Sequence, residues 1–157
     1  MSIDQNAAGA NFTSTTASPT FGVGTRIRGA NGSEWVYVQA AGAITGAGRA
    51  VVIDEDFQAA MVTTANALRG LSIGIAAAAF ADDDYGWVQI YGVCDIQVAA
   101  SCAANVGIAA TATAGQLDDA VGTGTKNILG LVLTTARAAS AGTAPGVLSY
   151  PTVYTTN

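Results

Sequence analysis

Asp84-Tyr-Gly-Trp-Val-Gln-Ile-Tyr-Gly-Val-Cys-Asp-Ile-Gln-Val98 is the longest strand-like run in the sequence. Every second residue from Val88 gives Val88, Ile90, Gly92, Cys94, Ile96 and Val98, an apolar face with one glycine. The other face, Trp87, Gln89, Tyr91, Val93, Asp95 and Gln97, is mixed. Alternation of period two over this length predicts a strand with one face on a core and the other partly wet. Gly92 has no side chain and marks a bulge or bend within it.

Working outward, the same reading gives further short strands. Asn31-Gly32, the strongest two-residue hairpin signal, joins a short strand at 25–28 to an alternating one at 34–39. A glycine-rich loop at 42–48 leads to strands at 50–54 and 57–62, with a turn at Glu55-Asp56. Residues 63–70 read as a loop or one helical turn, and 71–80 as a strand of small residues. Segments 105–113 and 115–119 come after the central strand. A loop at 121–125 then precedes a strong strand at 127–135. A Gly/Ala/Pro linker is expected at 138–146, then a strand at 147–150, with Pro151 restricting the last residues to an edge or a tail. Eight or more short strands between glycine turns predict an all-β fold, a single-domain β-barrel or β-sandwich over 23–157. Residues 1–22, aperiodic and rich in Ser, Thr and Ala, form an extended N-terminal arm, either flexible or ordered on a partner. Phe12 and Phe21 are its aromatic anchors. A weak echo of Trp35-Val-Tyr-Val in Trp87-Val-Gln-Ile suggests that the two tryptophans occupy similar strand positions.

Composition narrows the function. The chain has 157 residues, 50% hydrophobic and 11% charged. That charged share is under half the usual fraction of about 25%, so a disordered chain is excluded. A surface so poor in ions is easily dehydrated, which suits a protein covered by partners; a Thr- and Gly-rich extracellular β-protein has the same composition. The longest apolar run, 73–81, is too short to span a bilayer, so no membrane association is expected. Net charge is −5 and the six cations are scattered, against direct nucleic-acid binding. The first residues, Met-Ser-Ile-Asp-Gln-Asn6, lack the basic start and apolar run of a secretory leader. Synthesis in a cytoplasm with reduced cysteines is therefore expected, Cys94 being a buried free thiol on the apolar face of the central strand.

No catalytic or cofactor-binding residues emerge, and neither enzyme activity nor a cofactor is expected. The sequence contains no histidine, which removes the usual general base and most zinc sites. Cys94 and Cys102 are too far apart for a Cys-x-x-Cys pair. The glycine-rich segments at 42–48 and 122–126 match neither the dinucleotide nor the phosphate-loop pattern, and hairpin or surface loops explain them. The acidic clusters Asp54-Glu55-Asp56, Asp82-Asp83-Asp84 and Asp118-Asp119 lie at strand ends, where aspartate favours turns; cation binding is the alternative, without an EF-hand pattern.

Three segments together carry a resemblance: 32–45 with Ala50-Val-Val-Ile-Asp54, then Phe80-Ala-Asp-Asp-Asp-Tyr-Gly-Trp-Val88, then Ala110-Thr-Ala-Thr-Ala-Gly-Gln-Leu-Asp-Asp119. Over roughly residues 30–150 the chain resembles small head structural proteins of tailed bacteriophages, the capsid decoration or cement proteins. The resemblance implies a β-rich structural virion subunit, commonly a homotrimer, on the outer surface of the capsid and made in the bacterial host cytoplasm. Its partner would be the major capsid protein, whose subunits it would bridge and stabilise. Other readings are a different phage structural part, such as a tail or head-fibre component, or a carbohydrate-binding surface module. Candidate partner contacts are Phe12 and Phe21 of the arm, then Tyr85, Trp87 and Tyr91, for which ordinary packing within the subunit is the competing expectation.

Overall fold

The computed structural model describes residues 9–155. They form ten strands: β1 (Arg26–Arg28), β2 (Glu34–Ala40), β3 (Ala50–Ile53), β4 (Gln58–Met61), β5 (Ser72–Ala76), β6 (Tyr85–Val98), β7 (Ile108–Ala110), β8 (Leu117–Asp118), β9 (Lys126–Leu133) and β10 (Gly142–Thr155). The fold is all-β and a single domain, as the alternation predicts. The β1–β2 hairpin turns where Asn31-Gly32 places it. Asn31 has φ 56° and ψ 28°, and the Ser33 N–H donates to the Ala30 carbonyl at 3.1 Å. This is the geometry of a type I′ turn, whose twist matches its strands.

The pairing closes into two rings. β2–β4–β3–β5–β6 returns to β2, and β6–β8–β7–β9–β10 returns to β6. Each ring has four antiparallel joints and one parallel joint, in the same order along the chain. The parallel joints, Ala40↔Ala59 and Val98↔Leu117, are related by 58 residues in both strands. The chain is therefore two small barrels of one topology sharing β6. The tryptophan echo does not follow this relation. β2 and β6 are neighbours, with Tyr37 opposite Trp87, so Trp35 and Trp87 lie side by side on one surface.

Three apolar clusters match this plan. Val36, Val38, Val51, Ile53, Val88 and Ile90 fill the first barrel. Ile96, Val98, Ile108, Leu117, Leu133 and Leu148 fill the second, and its core continues onto Val52, Ile73 and Ile75 of the first barrel's outer face. Each such side chain contributes roughly 1.5–3 kcal/mol on burial. The third cluster is aromatic and lies outside the first barrel.

β6 departs from simple alternation because two barrels divide it. Its first half pairs with β2 and its second with β10. Residues 86–90 are buried on both faces, while 91–95 are half-buried or exposed. Trp87 and Gln89, expected on a partly wet face, are buried. The predicted bulge is present: Glu34 faces Tyr91 and Trp35 faces Gln89, leaving Ile90 extra, and Gly92 sits at φ +100°. The Gln89 side-chain amide donates to the Tyr91 and Val93 carbonyls at 2.9 and 3.1 Å, satisfying groups beside the bulge.

β10 corrects two expectations. The segment 138–146 is only partly a linker, because Gly142 onward is strand, and Pro151 is followed by paired residues rather than a tail. Pro145 is tolerated because its carbonyl, and so its missing N–H, faces the end of β9, accepting from the Thr134 N–H at 2.9 Å. Pro151 lies in a bulge between Leu148 and Thr152. There Tyr150 takes φ 49°, and Gly130 across the ladder takes φ +78°. A Cβ on Gly130 would come 2.5 Å from the Ser149 carbonyl oxygen, so only glycine fits.

Candidate functional site

The five predicted contact residues separate into two places. Phe12, Phe21, Tyr85 and Trp87 come together with Trp35 and Tyr37 on the outer face of β2 and β6. Phe12 stacks on Trp35 and meets Trp87 edge-on at 5.5 Å, and Phe21 meets Trp87 and Tyr37 edge-on at 5.2 and 5.5 Å. Such rings add about 0.5–1.5 kcal/mol per pair beyond their buried area. Phe12 is 1% exposed and Trp87 2%, so in this conformation both are interior residues, not a surface for a partner. Phe21 and Tyr85 are half-buried.

The described part of the arm, residues 9–22, is what covers this cluster. Thr16 and Tyr85 exchange backbone hydrogen bonds at 3.0 and 2.8 Å, and the Thr20 N–H donates to the Tyr37 hydroxyl at 3.1 Å. Over these residues the arm orders on its own chain; its first eight residues lie outside the described part. The two phenylalanines replace water over Trp35, Tyr37 and Trp87, which explains aromatic anchors in an otherwise polar segment.

Tyr91 stands apart and is 39% exposed. Its ring lies 5.1 Å from that of Tyr150. Val93, two residues on, is 70% exposed, and the rung Val93–Val147–Val132 points outward across β6, β10 and β9. Leu129 is also exposed on β9. Together these residues make an outward apolar face on the second barrel, where singly scattered apolar residues would need no explanation. Sequence reasoning reached Tyr91 but missed Val93, Leu129 and Tyr150. The signal was available in Ile128-Leu-Gly-Leu-Val-Leu133, apolar on both faces of one strand.

Tyr150 joins this face to the β1–β2 hairpin. Its hydroxyl donates to Glu34 Oε2, and the Arg28 guanidinium donates to Glu34 Oε1 at 2.8 Å. The Tyr150 hydrogen bond, with help from Arg28, holds the Glu34 carboxyl below its ordinary range, and the same bond raises the Tyr150 phenol. Beside this chain of bonds a cleft of about 220 Å³ opens at the mouth of the first barrel, with Arg26, Phe57 and Tyr150 at its rim and Val36, Ile53 and Ile90 in its wall. That volume takes a side chain rather than a cofactor.

The acidic clusters act at turns, as expected. Asp54 Oδ1 accepts from the Asp56 and Gln58 N–H groups at 3.0 and 2.9 Å, and Asp84 Oδ2 from Ala81 N–H at 3.3 Å. Asp119 Oδ2 accepts from Ala103 N–H at 2.9 Å, and Asp118 Oδ1 from Asp119 N–H at 2.9 Å. Cys102 lies with these last two, the donor atoms being within 4.8 Å of one another. Burial raises the Asp118 carboxyl and pushes the Cys102 thiol to about 11. Cys94 and Cys102 are free thiols; Cys102 is buried, whereas Cys94, expected to be buried, is half-buried because β6 leaves residues 91–95 near the surface. No helix among the described residues is long and apolar enough to cross a membrane.

No protein-family model matches the sequence, and no curated protein does.

Proposed function

We propose that the protein is a structural virion subunit that decorates the capsid of a tailed phage and stabilises it by bridging major capsid protein subunits. The outward apolar face of the second barrel, from Val93 and Tyr91 to Tyr150 and Leu129, carries this reading. It is a rigid three-stranded surface on a chain with few charges to desolvate, and it agrees with the resemblance of residues 30–150 to cement proteins. A shallow apolar contact of this kind is weak alone and becomes strong when a homotrimer engages several capsid sites at once. The test is to add purified protein to bare, expanded heads of its phage. Binding should raise the temperature at which heads rupture, and Val93→Glu should lower occupancy at least tenfold while the variant unfolds at the same temperature. Heads that take up no wild-type protein would end the proposal.

The exposed Tyr91–Tyr150 ring pair favours a second reading, a carbohydrate-binding surface module or a head-fibre or tail component, since paired rings suit the apolar face of a sugar. Glycan-array binding lost in Tyr91→Ala, with no uptake by heads, would select it.

A further inference from the structure

We infer that Cys102, Asp118 and Asp119 form a binding site for a divalent transition metal of zinc's character, with one thiolate, two carboxylates and a position left to water. The ligand atoms of the three residues lie within 4.8 Å of one another. Sulfur and oxygen ligands of a tetrahedral zinc ion stand about 3.5 Å apart, so a small rotation of the carboxylates closes the group on an ion.

The second barrel builds this group from two distant segments. Consecutive side chains on a strand face opposite sides. β8 ends at Asp118 and the chain bends at Asp119, which brings both carboxylates to the loop that follows β6. That loop is fixed at the cysteine: the Arg137 N–H donates to the Cys102 carbonyl at 2.8 Å, and the Ala103 N–H to Asp119 Oδ2 at 2.9 Å. Each carboxylate uses one oxygen on a backbone N–H, Asp118 Oδ1 on that of Asp119.

The sulfur separates this cluster from the acidic turns at 54–56 and 82–84. Cys102 is fully buried, and the N–H that reaches its sulfur, that of Asp119, is directed at Asp118 Oδ1, 2.9 Å away, leaving the sulfur without a partner of its own. A buried polar atom aimed at two carboxylates is left for a ligand to satisfy. Neither carboxylate is ion-paired, the one salt bridge among the described residues being Arg28–Glu34. Asp118 and Asp119 are half-buried, which gives an ion a way in and water a place on it. A thiolate selects zinc over calcium or magnesium, which take oxygen ligands. The metal replaces the Cys102 thiol proton, which leaves to solvent. The inference is independent of the capsid reading.

The test uses the full chain, reduced and stripped with EDTA, with Zn²⁺ or Co²⁺ alone as the probe. One Zn²⁺ should bind per chain and raise the unfolding temperature. Co²⁺ should give the near-ultraviolet thiolate charge-transfer band, and Zn²⁺ should abolish it. Cys102→Ser should lack that band and bind Zn²⁺ at least tenfold more weakly. Asp118→Asn, which replaces a charged ligand with a neutral one, should be the more stable chain in EDTA at pH 7 and the less stable one in zinc. Should Cys102→Ser fail to fold, the cobalt band of the wild-type chain decides. No zinc binding, a cobalt complex without the thiolate band, or equal zinc affinity in folded Cys102→Ser would overturn the inference. So would Ca²⁺ binding as tight as Zn²⁺, which would reduce the site to an acidic turn.

Discussion

The ring of Phe12 lies flat on the indole of Trp35, 4.5 Å between centroids and 3° from parallel. One residue belongs to the arm and the other to β2, so this contact ties an aperiodic segment to the first barrel. Phe12→Ala would leave a hole against Trp35 and Trp87. The expected cost is about 3 kcal/mol, in the usual range for a buried phenylalanine, read as a lower urea midpoint with unchanged slope. Removing residues 2–20 should cost more and expose the tryptophans, giving a red-shifted fluorescence. An unchanged midpoint for either variant would show that the arm does not dock on its own chain.

Gly130 faces the Ser149 carbonyl across the bulge in β9 and β10. Gly130→Ala introduces a Cβ 2.5 Å from that oxygen at φ +78°. Left-handed backbone alone costs roughly 1–2 kcal/mol for alanine, and the clash adds to it. A loss of at least about 2 kcal/mol is expected in chemical denaturation, with the second barrel's amides exchanging faster than those of the first.

Burial, with Asp95 nearby, pushes the Cys94 thiol to about 12, and burial with Asp119 and Asp118 pushes Cys102 to about 11. At pH 8 the Cys94 thiolate is then about one part in ten thousand, and thiolate is the reactive form. Neither cysteine should react with iodoacetamide over an hour at pH 8 in the folded protein, and both should react in 6 M guanidinium, about the strength that unfolds even hyperstable domains. Mass spectrometry counts the adducts. Rapid labelling of the native protein at the half-buried Cys94 would contradict its raised thiol.

Asp118 has its carboxyl raised mainly by burial, so the folded chain holds this proton more tightly than the unfolded chain. Its contribution to stability is complete below the unfolded carboxylate pKa and declines as pH rises through the raised folded value. Asp118→Asn keeps an oxygen for the Asp119 N–H and removes the charge. The variant should be more stable than wild type at pH 7 and indistinguishable from it at pH 3. Thermal unfolding at the two pH values measures the difference, and a loss of stability at pH 7 would contradict it.

Much of the strand layout was legible because it rests on local rules. Asn31-Gly32 turns the first hairpin, Gly92 accompanies the bulge in β6, and the aspartate clusters cap turns. β10 was misread at its start because glycine and proline were judged by local propensity. Pro145 faces the end of β9 and Pro151 lies in a bulge, so neighbouring strands decide that both are allowed. Of the candidate contact residues, only Tyr91 lies on the outward apolar face. Phe12 and Trp87 are interior because the arm folds back on the sheet.

By itself the sequence determined that the chain is a single all-β domain, with β6 as its longest strand. Period-two alternation and turn residues act over a few positions and need no knowledge of the remainder. Only the tertiary structure decided that β6 belongs to two barrels and that its Trp87 side is buried while Val93 is exposed. Those facts depend on which distant strands lie alongside. An aromatic residue on a strand has the same local pattern whether an arm covers it or water does.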